Sequence, residues 1–78
     1  MNDIQLADVT LHIDESLERD QRATVETSLR ALDGVISVHN PDKAPHLTLI
    51  EYNPETTSSK EILERVTNQG AHAQLVGL

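Results

Sequence analysis

Histidine is the residue of this sequence best suited to chemistry, and the chain has four: His12, His39, His46 and His72. The imidazole ring binds Zn²⁺, Cu²⁺ or Ni²⁺ through a neutral ring nitrogen. A structural site of this kind takes about four ligands, so the fold, a carboxylate or a second copy of the chain would have to complete it. We take His12, His72 and His39 as candidate ligands, against the alternative that they are exposed strand residues without a function.

A second group of candidate ligands lies in the acidic segment DESLERD, from Asp14 to Asp20. Carboxylates are hard ligands that suit Ca²⁺ or Mg²⁺. The segment lacks the Asp-x-Asp-x-Asp-Gly spacing that would organise a cation, and acids at the start of a helix are favoured by the helix dipole alone. Three interpretations therefore stay open, namely a cation site, a contact for a basic partner and a solvated helix start.

The composition excludes several classes of function. The chain has no cysteine, which excludes disulfides, iron–sulfur clusters and thiol catalysis. No serine lies in a nucleophile-elbow context and no glycine-rich phosphate loop is present. We therefore predict that the protein is not an enzyme and has no resident cofactor.

The charge and length restrict the partners and the size of the fold. The 13 acidic and 6 basic residues give a net charge of −7, which argues against nucleic acid and anionic membranes as partners. No secretory signal and no apolar run of about 18 residues is present, so we predict a cytoplasmic protein. With 78 residues we expect a single domain spanning 1–78, and because Tyr52 is the only aromatic residue its core must be aliphatic.

The hydrophobic periodicity predicts six secondary-structure elements. Val9, Leu11 and Ile13 alternate with polar residues, which indicates a strand with one buried face. Ser58, three residues before Glu61, marks the start of a helix as part of a capping box. In order, we predict a strand at 8–14, a helix at 19–33, strands at 35–39 and 46–52, a helix that ends at Gly70 and a strand at 71–78. Gly34 would end the first helix, and Ser16 or Asp20 would be its N-cap.

This order of elements predicts an α+β fold. Right-handed crossovers and short connections favour the ferredoxin-like βαββαβ sandwich. Its four-stranded antiparallel sheet has the order 4-1-3-2, with two helices on one face. The opposite face of the sheet is left open to a partner.

The third strand places apolar residues on this open face. If Thr48, Ile50 and Tyr52 point inward, Leu47 and Leu49 point outward, where a monomer would carry polar residues. Strands one and four are neighbours in the predicted order, so His12 on the first and His72 on the fourth are expected close together on the same face. The predicted interface for a protein partner or a homodimer therefore comprises Leu47, Leu49, His12, His72 and Val76, against the alternative of scattered leucines shielded by their neighbours.

Three segments resemble the heavy-metal-associated domain, the module of copper chaperones and metal-pumping ATPases. The segment VETSLRALDGVISV, Val25–Val38, is similar to the first helix and second strand of that family. IEYNP, Ile50–Pro54, resembles its third strand and the turn that follows. EILERVTNQGAHAQLV, Glu61–Val76, resembles its second helix and last strand. The resemblance covers about Val9–Val76 and implies the ferredoxin-like fold.

The chain departs from this family at the metal site. The family binds a soft ion such as Cu(I) through a Met-x-Cys-x-x-Cys loop between the first strand and the first helix, because thiolates are soft ligands. Counted back from Val25 without gaps, the two cysteine positions fall at Glu18 and Gln21. The resemblance therefore implies a degenerate metal site in which neither residue inherits the ligand role.

The sequence leaves three functions open. The first is a regulatory or accessory module that acts by protein–protein contact. The second is a metal-binding or metal-delivery module with histidine and carboxylate ligands for Zn²⁺, Cu²⁺ or Ni²⁺. The third is a small-molecule sensor similar to ACT domains, which share this topology but carry a glycine-rich turn after the first strand that is absent here.

Overall fold

The order of strands and helices is the one that the sequence predicts. The computed structural model of the chain describes residues 5–14 and 17–76. Its elements are β1 (Ala7–Ile13), α1 (Arg19–Arg30), β2 (Val35–His39), β3 (Leu47–Tyr52), α2 (Ser59–Thr67) and β4 (Ala73–Val76). The sheet order is β2-β3-β1-β4 with every pairing antiparallel, which is the predicted order 4-1-3-2 counted from the other edge. The ferredoxin-like fold is therefore confirmed.

One face of the sheet packs against both helices. Val9, Leu11 and Ile13 alternate along β1 with more exposed residues, and all three are buried. Because successive side chains of a strand point to opposite faces, this alternation commits one face of β1 to the core. The core is aliphatic, as predicted from the lack of aromatic residues, and its buried members are Val9, Leu11, Ile13, Val25, Leu29, Val38, Ile50, Ile62 and Val66.

The two helices begin differently. The N-cap of α2 is Ser58, whose hydroxyl accepts a hydrogen bond from the backbone N–H of Glu61 at 3.2 Å, as predicted. The N-cap of α1 is Glu18. The prediction of Asp20 for that position was wrong, because Asp20 lies within the first turn of the helix, and Ser16 lies outside the described residues.

Both helices end before the glycines that were expected to close them. The last residue of α1 is Arg30, and Gly34 lies four residues later with a φ of +98°. There its carbonyl accepts a hydrogen bond from the N–H of Asn53 at 2.7 Å. Likewise α2 ends at Thr67, and Gly70 has a φ of +92°. Each glycine therefore supplies the left-handed turn of a connection, since this conformation is strained for other residues.

Asn40 organises the hairpin connection between β2 and β3. Its side-chain amide donates hydrogen bonds to the carbonyls of Pro45 at 3.1 Å and Leu47 at 2.6 Å. Its side-chain oxygen accepts a hydrogen bond from the guanidinium of Arg22 on α1 at 3.1 Å. The hairpin is therefore attached to the start of the first helix.

Three connections meet at one end of the sheet because its neighbouring strands are antiparallel. They are the segments between β1 and α1, between β2 and β3, and between α2 and β4. The N–H of Ile13 donates to the carbonyl of His46 at 2.8 Å, and the N–H of Asp14 donates to that of His72 at 2.8 Å. This end, where the resemblance places a metal loop, therefore carries His46 and His72 beside the end of β1.

No helix among residues 5–14 and 17–76 has the length and hydrophobicity that a bilayer span requires.

Candidate functional site

The side of the sheet away from the helices is covered by no element among the described residues, and we call it the open sheet face. Its residues alternate along each strand with those that point to the core. The cross-strand pairing then fixes which residues are neighbours. The open sheet face consists of Asp8, Thr10, His12, Ser37, His39, Leu47, Leu49, Glu51, Gln74 and Val76.

Apolar side chains occupy the centre of the open sheet face. Leu49 is 45% exposed and Val76 39% exposed, and Thr10 lies between them, paired with both. Leu47 is half-buried and precedes Leu49 on the same face of β3. His12 pairs with Leu47 across the strands. The structure thus brings four of the five predicted interface residues onto one surface.

Two carboxylates, those of Asp8 and Glu51, border this apolar centre. Asp8 on β1 lies directly opposite Glu51 on β3, and like charges in directly opposed positions of a sheet repel each other. Neither carboxylate forms an ion pair with any described residue. No strand carries a basic residue, because all six lie elsewhere: Arg19, Arg22 and Arg30 on α1, Lys43 in the hairpin connection, and Lys60 and Arg65 on α2.

The three histidines that were taken as candidate ligands lie on three different segments of the sheet and its connections. His39 lies on the edge strand β2, opposite Leu49. His72 precedes β4, although it was predicted within that strand, and its carbonyl accepts the N–H of Asp14, while the residue opposite His12 is Gln74. No group of three or more histidine and acidic residues in 5–14 and 17–76 could hold a metal ion. A three-histidine centre is therefore not formed.

His12 instead stacks on His46, the histidine that was not selected from the sequence. Their ring centroids are 5.8 Å apart and their planes differ by 18°. Nδ1 of His12 lies 2.9 Å from a carboxylate oxygen of Asp14, and Nδ1 of His46 lies 2.8 Å from the carbonyl oxygen of Ile13. The third strand was predicted to begin at His46, but it begins only at Leu47, so the alternation of a strand does not determine the direction of the His46 side chain.

Ile36 on the edge strand β2 is 57% exposed and was not among the predicted interface residues. The pairing of β2 with β3 shifts by one residue between Val35 and Ser37, which is a β-bulge. The bulge lets both Val35 and Val38 pack on the core, although they are three residues apart. Two core-facing valines spaced by three residues within one strand are the signal in the sequence that could have predicted the β-bulge.

The two positions that resemble the family's thiolate ligands both belong to the start of α1. The side-chain oxygen of Gln21 accepts a hydrogen bond from the backbone N–H of Glu18 at 3.0 Å. Both residues are exposed. The pair forms part of a capping box, so its present geometry serves the helix terminus.

Solved structures of heavy-metal-associated domains have the same fold as this chain. Oxidized MerP from Ralstonia metallidurans CH34 matches with a TM-score of 0.83 and 15% identity over 94% of this chain and 100% of its own. The Cu(I)-loaded N-terminal domain of a potential copper-translocating P-type ATPase from Bacillus subtilis matches with a TM-score of 0.84 and 22% identity. The match covers 94% of this chain and 90% of that domain. The yeast copper transporter domain CCC2A matches with a TM-score of 0.79 and 21% identity, over 90% of this chain and 94% of its own.

These matches confirm the expected likeness to heavy-metal-associated domains at the level of the fold. No protein-family model matches the chain. No curated protein matches it. The chain has no cysteine and therefore lacks the Cys-x-x-Cys motif that the resemblance would require.

Proposed function

We propose that this chain is a non-enzymatic module that docks a basic protein surface on its open sheet face. One observation carries the proposal: the exposed apolar residues Leu49 and Val76 lie beside the carboxylates of Asp8 and Glu51, which form no ion pair with any described residue. An exposed apolar patch with a charged border is typical of protein interaction sites. A partner with lysine or arginine around an apolar centre would complement both features.

The charge of this face favours a different protein over a second copy of the chain. Two open sheet faces packed together would bring Asp8 and Glu51 of one copy toward the same acids of the other, with no strand base to compensate. Like charges in an interface oppose association. Light scattering at high micromolar concentration should therefore report a monomer, and a dimer that Glu51→Lys disrupts would contradict the choice of partner.

The proposed role is regulatory or accessory, in the cytoplasm and beside a larger protein. Its support is the likeness in fold to an N-terminal domain of a potential copper-translocating P-type ATPase. The absence of cysteine supports a role that does not depend on thiolate-bound copper.

A charge-matched pair of variants tests the proposal. Glu51→Lys reverses a charge on the open sheet face, and Glu55→Lys makes the same change in the exposed turn before α2. Both variants alter the net charge equally, so non-specific electrostatic binding changes equally. Each immobilised variant is incubated with lysate of the source cells, and bound proteins are quantified by mass spectrometry.

We expect a set of basic proteins that the wild type and Glu55→Lys retain and that Glu51→Lys loses. Equal capture by the two variants would contradict docking on the open sheet face. Capture that Glu55→Lys alone abolishes would place the contact at the connection between β3 and α2.

A further inference from the structure

We infer that the outer edge of β4 is a second docking surface, which binds an extended basic segment of another protein as an additional strand of the sheet. Strand addition of this kind joins the main-chain N–H and C=O groups of an edge to those of the ligand. It goes beyond the proposed function, because it uses backbone groups of an edge and not side chains of the open sheet face.

The hydrogen-bond pattern determines which backbone groups of β4 point outward. The N–H of Asp14 donates to the carbonyl of His72 at 2.8 Å, and this pair continues the register in which Ile13 pairs with Ala73. Hydrogen-bonded and non-hydrogen-bonded positions alternate along an antiparallel pair. Every second residue after His72 therefore bonds to β1, while the N–H and C=O groups of Ala73 and Leu75 point away from the sheet.

These outward groups have no partner among residues 5–14 and 17–76. In that part of the chain β4 has β1 as its only neighbouring strand, and no hydrogen bond from a loop or a side chain reaches Ala73 or Leu75. The edge therefore presents two N–H and two C=O groups in a row. Such a row is a template for pairing with another chain.

The opposite edge of the sheet, β2, is protected against such pairing. The guanidinium of Arg30 donates to the carbonyl of Val38 at 3.0 Å, and a β-bulge interrupts the strand between Val35 and Ser37. Charged side chains and bulges are means by which proteins block an edge strand. Within its described residues β4 has neither, because its pairing with β1 is regular and the segment Asn68–Val76 contains no lysine, arginine or proline.

The groove beside the β4 edge favours a basic ligand. It has a volume of about 420 Å³ and is lined by Asp14, Thr67 and residues 70–74. The side chain of Asp14 is 51% exposed, and the lining contains no lysine or arginine. Because Asp14 and Ala73 line the same groove, a strand paired with Ala73 can place a lysine or arginine next to the Asp14 carboxylate, and the two charges would be complementary.

A second copy of the chain fits this edge less well than a basic segment does. Pairing of β4 with β4 of another copy would bring two acidic grooves together, and the segment Asn68–Val76 has no lysine or arginine to compensate Asp14. Each copy also carries a net charge of −7, which opposes self-association. The occupant is therefore a segment of a different protein.

Amide hydrogen exchange of the chain alone tests the direction of the backbone groups. The N–H groups of Ala73 and Leu75 should exchange at least about tenfold faster than that of Gln74, which is bonded to β1. Protection of Ala73 and Leu75 equal to that of Gln74 would overturn the inference, because their N–H groups would then already be bonded.

A synthetic peptide of alternating valine and lysine, six residues long by design and blocked at both ends, tests the binding. Valine favours an extended backbone and lysine supplies the charge. On titration into the ¹⁵N-labelled chain, the amides of Ala73 and Leu75 should shift, and their exchange should slow at least about tenfold. The same peptide with every second backbone nitrogen methylated keeps the charge but cannot pair, and it should not bind. A valine–glutamate peptide should not bind either.

A matched pair of variants tests the same edge from the side of the chain. Ala73→Pro removes an outward N–H at the first residue of β4, where proline is tolerated because no bond to β1 is lost. It should weaken binding of the valine–lysine peptide at least about tenfold. Ala73→Ser keeps the N–H and should bind the peptide as the wild type does. The methylated peptide makes the same comparison without altering the fold.

The inference would be overturned by equal binding of the methylated and unmethylated peptides, or by the absence of shifts at Ala73 and Leu75. Shifts confined to Thr10, Leu49 and Glu51 would overturn it too, although they would support the open sheet face. A dimer in light scattering that Ala73→Pro abolishes would assign the edge to a second copy and overturn the choice of ligand. Because Glu51→Lys should leave the binding of the peptide to the edge in place, the proposed function can fail or stand independently.

Discussion

The side-chain oxygen of Gln21 accepts a hydrogen bond from the backbone N–H of Glu18 at 3.0 Å. In the family that the chain resembles, these are the positions of the two thiolates. A hydrogen bond that satisfies an otherwise unpaired N–H stabilises the start of α1. Glu18 and Gln21 therefore stabilise the start of α1, and neither residue can supply a thiolate.

Replacement of Gln21 by alanine should destabilise the fold modestly. The change removes one exposed hydrogen bond, so the free energy of unfolding should fall by about 0.5 kcal/mol. Gln21→Glu keeps an acceptor at the same position and adds a charge that the helix dipole favours, so it should preserve the stability. Urea denaturation measures both, and equal losses in the two variants would mean that the hydrogen bond contributes nothing.

Neutralising Glu51 should stabilise the isolated protein. Its carboxylate lies directly opposite Asp8, and relief of such a cross-strand repulsion is worth about 0.2–1 kcal/mol. Glu51→Gln should therefore raise the free energy of unfolding at low ionic strength, and about 1 M salt should reduce the gain. Glu55→Gln, in the exposed turn, is the control and should change little. A loss of stability in Glu51→Gln would show that the carboxylate has a favourable contact instead.

Gly34 and Gly70 allow backbone strain and steric contact to be measured separately. Both have a positive φ, but a Cβ atom on Gly34 would lie 2.9 Å from Cβ of Thr56, while a Cβ on Gly70 would meet nothing within 4 Å. Gly70→Ala should lower the free energy of unfolding by about 1–2 kcal/mol through strain alone. Gly34→Ala should lower it by more, because Thr56 must also move. Equal losses in thermal or urea unfolding would mean that the turn around Thr56 adjusts freely.

The sequence predicts the fold well because alternation and helical spacing are local signals. Val9, Leu11 and Ile13 alone determine which face of β1 is buried. Once Ile50 is assigned to the core, the outward direction of the Leu49 side chain follows from the alternation of the strand. The N-cap of α2 is predicted correctly because a serine three residues before a glutamate is a specific capping pattern. The N-cap of α1 is predicted less well, because Glu18 is not a typical N-cap residue and its backbone N–H is instead paired with the side chain of Gln21.

The sequence does not predict the stacking of His12 on His46, because it depends on a non-local register. The two rings meet only because Ile13 pairs with His46 through its backbone, across a hairpin connection that the side chain of Asn40 organises. Likewise, the position of His72 depends on where β4 begins. Local periodicity assigned His72 to that strand, but the strand starts at Ala73.

Docking of a basic protein on the open sheet face is tested most directly by amide spectra of the ¹⁵N-labelled chain titrated with the purified captured partner. We predict that shifts concentrate on Thr10, Leu49, Glu51 and Val76, and that Glu51→Lys weakens the binding while Glu55→Lys does not. Shifts that concentrate on α1 or α2, with the open sheet face unchanged, would contradict the claim.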